Sequence, residues 1–154
     1  MASRNAYVRS FRELIVYRKS RSLAQDIFQI SKRFPREEMY SLTDQIRRSS
    51  RSVGAQIAEA WAKRRYEKHF VSKLTDADAE QQETQHWLEV AYDCGYISQP
   101  ELNQLLNPCL EVGRMLQSMM NKSAQFCAPE NTGLLREEGP SYFMQDETES
   151  YRDE

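Results

Sequence analysis

Apolar residues recur at steps of three and four through four successive stretches of the chain, and that period dictates helices packed on one another. The first stretch runs from about Phe11 to Arg33 and carries Val16, Ser20, Leu23, Ile27, Ile30 and Phe34 in one stripe. The second, about Leu42 to Arg64, has Leu42, Ile46, Ser49, Val53, Ile57 and Ala60/Trp61 as its seam. The third, about Tyr66 to Cys94, aligns Phe70, Leu74, Ala77, Gln81, Thr84, Leu88 and Ala91. The fourth, about Pro100 to Gln125, aligns Leu102, Leu105, Cys109, Val112, Leu116 and Met119.

The punctuation agrees with the period. Phe34-Pro35 closes the first helix, because a residue before proline avoids the helical region. Gly95 stands just past the third, and Ser98, Pro100 and Glu101 together form a helix-start signal for the fourth. Ser41 with Asp44 resembles a capping box for the second. Two interior residues are out of place. Pro108 is expected to kink or interrupt the fourth helix near Leu105. Gly54 costs the second helix about 1 kcal/mol relative to Ala and leaves space for close approach of a neighbour. Helices of roughly 24 residues are about 36 Å long. Four of them with short connections predict an all-α fold, an antiparallel up-and-down four-helix bundle over residues 1–127.

A length of 154 residues suits one domain. Only 5 Gly and 5 Pro argue against an all-β chain. No run approaches the roughly 20 apolar residues of a spanning helix. Met1 to Ser10 is polar and basic without an apolar stretch, so no secretory signal and a cytoplasmic location are expected. From Ala128 the periodicity stops, and residues 128–154 are expected to form a disordered acidic tail. The apolar clusters Leu134-Leu135 and Tyr142-Phe143-Met144 leave open whether that tail is simply solvated or docks on a partner or on the protein's own basic face.

The formal net charge of −2 conceals a strong segregation. Residues 1–75 hold 17 Lys/Arg and 7 Asp/Glu, whereas residues 76–154 hold 4 and 16. Residues 128–154 alone have 8 acids against 2 bases, a net of −6, so residues 1–127 carry a net of +4. Near-neutrality therefore does not count against a polyanionic partner.

Catalytic chemistry is thin. The two histidines, His69 and His86, fall on one predicted helix, and no nucleophile motif or phosphate-binding glycine loop is present. Glu83-x-x-His86 has the spacing of half a carboxylate-bridged metal site, but no second copy exists. Cys94, Cys109 and Cys127 lack ligand spacing. No metal, no cofactor and no enzymatic activity are expected.

The richest constellation lies on the second helix, in Gln45-Ile46-Arg47-Arg48-Ser49-Ser50-Arg51-Ser52. Three- and four-residue spacing puts Arg47, Arg48 and Arg51 on the face away from Ile46, Val53 and Ile57. Lys63, Arg64 and Arg65 add cations at the helix end, where they complement its dipole. Such a row, with Tyr40, Trp61 and Tyr66 near enough to stack on bases, suits a nucleic-acid backbone. Two plainer readings stand beside it: Arg47 or Arg48 paired inside the bundle with Glu59, Glu80 or Glu83, and a merely solvated face.

Several of these motifs together resemble a known family. They are Phe11-Arg12-Glu13-Leu14, Phe34-Pro35, Glu38, Tyr40, Leu42-Thr43, Gln45-Ile46-Arg47-Arg48-Ser49 and Gln56-Ile57-Ala58-Glu59, then Phe70 to Leu74, Glu83-Thr84, Leu88, Ala91 and Gly95-Tyr96-Ile97. In unbroken order over about residues 11–120 they resemble the bacterial four-helix bundle proteins encoded in intervening sequences of 23S ribosomal RNA genes. More distantly, they resemble accessory proteins of diversity-generating retroelements, which work beside a reverse transcriptase. The resemblance implies four antiparallel helices that self-associate as a ring-like homopentamer, with no established enzymatic activity and a nucleic-acid role. The chain departs from the family at Ser41 and Ala60, where Gly is usual, at Gly54, where Pro is usual, and at Arg51, where a small or apolar residue is commoner.

The expected function is that of a non-enzymatic, oligomeric protein binding structured RNA or DNA through Arg47, Arg48, Arg51, Lys63, Arg64 and Arg65. The alternative is a protein-interaction scaffold or accessory subunit for a nucleic-acid-processing enzyme.

Overall fold

The computed structural model describes residues 8–127, and the predicted tail at 128–154 lies outside them. Four long helices are present: α1 (Ile15–Ser31), α2 (Asp44–Ala62), α3 (Glu67–Asp93) and α4 (Gln99–Asn121), followed by a short α5 (Ser123–Cys127). Each packs on its neighbour in sequence, and α1 closes the ring against α4, the up-and-down bundle that the period predicted. No strand occurs among the described residues. Among those residues, too, no helix is long and apolar enough to cross a membrane.

The helix ends follow local chemistry, with three departures from expectation. Phe11–Glu13 form a separate 3-10 turn capped by the Ser10 hydroxyl, and Leu14 is extended (ψ 128°), so α1 starts at Ile15. Ser41 does not cap α2. Its hydroxyl donates to the Glu38 carbonyl, and Met39–Thr43 form a wide π-type turn that runs straight into the helix. Pro108 does not interrupt α4, which is continuous from Gln99 to Asn121. The carbonyl that Pro108 leaves without a helical partner belongs to exposed Gln104, where water can satisfy it.

The remaining ends conform. Ser98 and Glu101 make a reciprocal capping box on α4. Gly95 adopts φ +78°, which lets its own N–H reach the Tyr92 carbonyl and the Tyr96 N–H reach the Ala91 carbonyl, closing α3.

The core is divided in two. One apolar cluster gathers Val16, Val53, Ile57, Phe70, Leu74, Val112 and Leu116 from all four helices. The other gathers Leu23, Ile27, Ile46, Leu88, Leu102, Leu105 and Cys109. Between them, in the same seams, lie the buried polar residues Ser20, Ser49, Ser50, Gln81 and Thr84. The Thr84 hydroxyl lies within hydrogen-bond distance of Ser49 Oγ (3.0 Å) and of the Glu80 carbonyl (2.9 Å), and Gln81 donates to Asp78 (2.9 Å) while accepting from Gln85 (2.6 Å). The hydroxyls and the amide are thus satisfied, as burial demands.

Gly54 is not required by a close approach of α1. A Cβ built there would stand 3.4 Å from Ser20 Oγ and 3.6 Å from Tyr17, an ordinary contact.

Candidate nucleic-acid interface

Charge is distributed by helix. α1 and α2 together carry six Lys/Arg and three Asp/Glu, and α3 and α4 carry three and nine. Ion pairs stitch two of the seams. Lys19–Glu111 (2.8 Å) and Arg33–Glu101 (2.7 Å) join the α1 side to α4. Lys73–Glu59 (2.9 Å) and Arg48 with Glu80 (3.5 Å) and Glu83 join α2 to α3. The α1/α2 seam has no ion pair among the described residues.

This layout splits the three arginines expected to share a face. Arg48 is the architectural one. It lies against α3, where its two carboxylate partners outweigh the cost of its own burial and hold its pKa up. Glu80 in that cluster is pushed above its ordinary value, first by burial and then by the Glu83 carboxyl, with its Oε2 buried and unpartnered.

Arg47 and Arg51 turn the other way, towards α1. Their guanidinium groups sit 4.8 Å and 5.3 Å from the centre of the Phe28 ring, and the Lys32 ammonium lies 4.8 Å from the same ring. Arg47 is further fixed by donating from Nε to Ser31 Oγ (2.8 Å), a buried hydroxyl that itself donates to the Phe28 carbonyl (2.9 Å). Exposed Arg21, on α1, completes the set. None of these four cations has a carboxylate within ion-pair distance among the described residues.

Phe28 is the residue that sequence reasoning missed. Its signal was an aromatic side chain beside the Ile27 stripe, one step off the apolar seam, on the helix preceding the arginine cluster. The aromatic residues proposed instead are placed otherwise. Tyr40 is 91% exposed in the α1–α2 connection, at the opposite end of α2 from Lys63, Arg64 and Arg65. Trp61 is covered by Arg64, whose guanidinium carbon is 3.4 Å from the ring centre. Tyr66 lies against His69 at 5.3 Å.

Lys63, Arg64 and Arg65 follow the last turn of α2 and form a separate patch. Twelve residues from Arg51 to Lys63 correspond to about 18 Å of helix axis. Arg64 folds back to donate from Nε to the Trp61 carbonyl (2.9 Å), closing the C-terminus of α2, and burial pushes its pKa down to about 10. It therefore stays protonated at neutral pH, but it is largely occupied in the structure. Lys63 is exposed.

Between α1 and α2 lies a groove of about 240 Å³. Gly54, Ala55 and Ala58 of α2 and Ala24 of α1 line it with little side-chain bulk, Tyr17 contributes an aromatic wall, and Arg21 and Arg51 stand one on each helix. Among the described residues no three His, Cys, Asp or Glu converge as metal ligands. The His86 ring instead rests edge-on to Trp87, with centroids 4.7 Å apart.

No curated protein matches the chain. A solved structure of a protein of unknown function from the S23 ribosomal protein family of Bacteroides thetaiotaomicron is similar to it. The identity is 31%, over 69% of this chain and 98% of that one, with a TM-score of 0.64. A family model, 23S rRNA-intervening sequence protein, matches residues 12–118, which include all four long helices except the last three residues of α4. The chain belongs to the 23S rRNA-intervening sequence protein family.

Proposed function

We propose that this protein is a non-enzymatic, nucleic-acid-associated bundle whose α1/α2 face binds the phosphate backbone of structured RNA or DNA. One observation carries the reading. Arg21, Lys32, Arg47 and Arg51 cluster on one seam without carboxylate partners among the described residues, while Lys19, Arg33, Arg48 and Lys73 are each paired across other seams. Cations without ion-pair partners among the described residues suit counterion release from a polyanion. Holding Arg47 through Ser31 and Phe28 reduces the ordering cost of each contact. Arg48 leaves the set of binding residues proposed from sequence, and Arg21 and Lys32 join it. Lys63 with its neighbours is a second, smaller contact. Self-association into a ring, as homopentamers or otherwise, repeats both patches and sums weak contacts by multivalency.

Retention of labelled structured RNA, single-stranded RNA and duplex DNA, titrated with salt from roughly 50 mM upward, tests this. Affinity is expected to fall steeply with salt, and Arg51→Gln to lower the salt slope by about 1. Absence of any retention at the lowest salt overturns it. Light scattering of the purified protein tests the oligomer.

A second reading is favoured by the nine acids on α3 and α4, a surface suited to a basic protein partner such as a nucleic-acid-processing enzyme. Capture from the native host that survives nuclease treatment distinguishes it.

A further inference from the structure

We infer that the α1/α2 groove is a docking site for residues 134–138 of the same chain, with Leu134-Leu135 seated in the groove and Glu137-Glu138 on Arg21 and Arg51.

The groove asks for an occupant of mixed character. Its lining is mostly apolar and small, with Ala24, Gly54, Ala55 and Ala58 beside the buried hydroxyls of Ser20 and Ser50, and it is flanked by the exposed cations Arg21 and Arg51. Neither arginine has an ion-pair partner among the described residues. A fitting segment therefore presents apolar side chains followed closely by carboxylates. Residues 134–138 read Leu-Leu-Arg-Glu-Glu, which has that order.

Where the chain leaves the bundle puts this segment within reach. α5 returns to the end at which α2 finishes and α3 begins. Ser123 Oγ donates to Glu67 Oε1 (2.5 Å), the Phe126 ring stacks on Phe70 (centroids 5.7 Å apart), and Cys127 packs on the cluster that contains Val16 and Ile57. The groove opens towards the same end, since Tyr17 lies in the first turn of α1 and Ala58 in the last two turns of α2. Seven residues from Cys127 to Leu134 span at most about 24 Å when extended. Ala58 to Arg51 along α2 is about 10 Å. Cys127 and the groove's Tyr17 pack on the same apolar cluster, so a short tether keeps the effective concentration of the segment high.

Charge selects both the occupant and the surface. Residues 128–154 have a net charge of −6, whereas residues 1–7 contain Arg4 and no acid. The α3/α4 side, with nine acids, repels the segment, and the α1/α2 side attracts it. Docked there, the carboxylates of Glu137 and Glu138 take the positions that the proposed function gives to phosphates.

The test uses the full-length protein with no nucleic acid present, so its outcome is independent of that function. A nitroxide is attached at Leu135→Cys in a background carrying Cys94→Ser and Cys127→Ser, and amide signals are recorded by NMR. The expected result is loss of intensity at Ala24, Arg51 and Ala55, unchanged on dilution and abolished by Arg21→Glu with Arg51→Glu. Because Cys127 contributes to packing, a second measurement avoids it. Within residues 8–127, Glu137→Lys with Glu138→Lys in the otherwise natural sequence is expected to shift amides only in 17–24 and 50–58. Loss of intensity on α3 or α4, no loss anywhere, or a loss that vanishes on dilution, meaning that a second copy supplies the segment, each overturns the inference.

Discussion

Gln81 of α3 and Gly113 of α4 are fitted to each other: a methyl group on Gly113 would stand 2.7 Å from the Gln81 amide nitrogen. The amide is buried, donates to Asp78 and accepts from Gln85, so it has nowhere better to go. Overpacking at such a point costs about 1–3 kcal/mol, and replacing an interior helical Gly by Ala returns about 1. Gly113→Ala is therefore expected to destabilise the protein by about 1 kcal/mol in the natural sequence. In a Gln81→Ala background the same substitution is expected to stabilise by a similar amount. Urea denaturation of the four-member cycle reads the change of sign, and equal effects in both backgrounds would show that the contact is immaterial.

Arg48 and Arg51 are three residues apart and are expected to behave oppositely. Arg48→Gln leaves Glu80 and Glu83 facing each other beside a buried oxygen and is expected to cost roughly 1 kcal/mol, the upper range for a half-exposed pair. It is expected to leave nucleic-acid affinity nearly unchanged. Arg51→Gln is expected to alter stability by less than about 0.5 kcal/mol while weakening binding. Denaturation midpoints and binding isotherms measured on both variants check the division of roles.

Two carboxyl groups give the stability curve opposite slopes. Hydrogen bonds from Arg33 and then from the Ser98 N–H hold the Glu101 carboxyl down at about 2 against an ordinary 4.5. Its contribution is complete above pH 4.5 and is lost as the pH falls towards 2. Glu80 is raised by burial, so its protonation favours the fold, and its ionisation costs stability as the pH rises through its folded value above 4.5. Glu101→Gln is expected to remove part of the acid limb between pH 4.5 and 2. Glu80→Gln is expected to flatten the curve above pH 4.5. Denaturant titrations across pH 2–7 separate the two.

The three thiols are expected to react in a fixed order. Burial pushes Cys109 up to about 12 and Cys127 up to about 11, the latter helped by Glu67, whereas Cys94 is exposed beside Gly95. Only a thiolate attacks, so a disulfide reagent at neutral pH should consume Cys94 first and Cys109 only on unfolding. Mass-spectrometric mapping at successive times reads the order, and early modification of Cys109 would contradict its burial.

The four helices were legible because their stripes are long and their stops are chemically explicit at Pro35, Gly95 and Ser98. The details that failed depend on neighbours. Ser41 has the composition of a cap, yet the π-type turn at Met39–Thr43 leaves its hydroxyl on the Glu38 carbonyl. Pro108 breaks a helical hydrogen bond, but the carbonyl it strands belongs to an exposed residue, Gln104. The arginine row was visible as composition, while its division was not. Spacing on one helix cannot tell that Arg48 meets Glu80 on α3 and that Arg47 and Arg51 meet Phe28 on α1.

The band of Ser20, Ser49, Gln81 and Thr84 across the middle of the bundle acts as an index mark for the helices. Leu, Ile and Val tolerate a slide of one heptad, since one hydrocarbon serves as well as another. A hydroxyl pair does not: moving α3 by seven residues would set Ser49 against Ala77 or Ala91 and lose its bond to Thr84. The longitudinal alignment of α2 with α3, and so the meeting of Arg48 with Glu80 and Glu83 on the outside, is governed from within by a pair of buried hydroxyls.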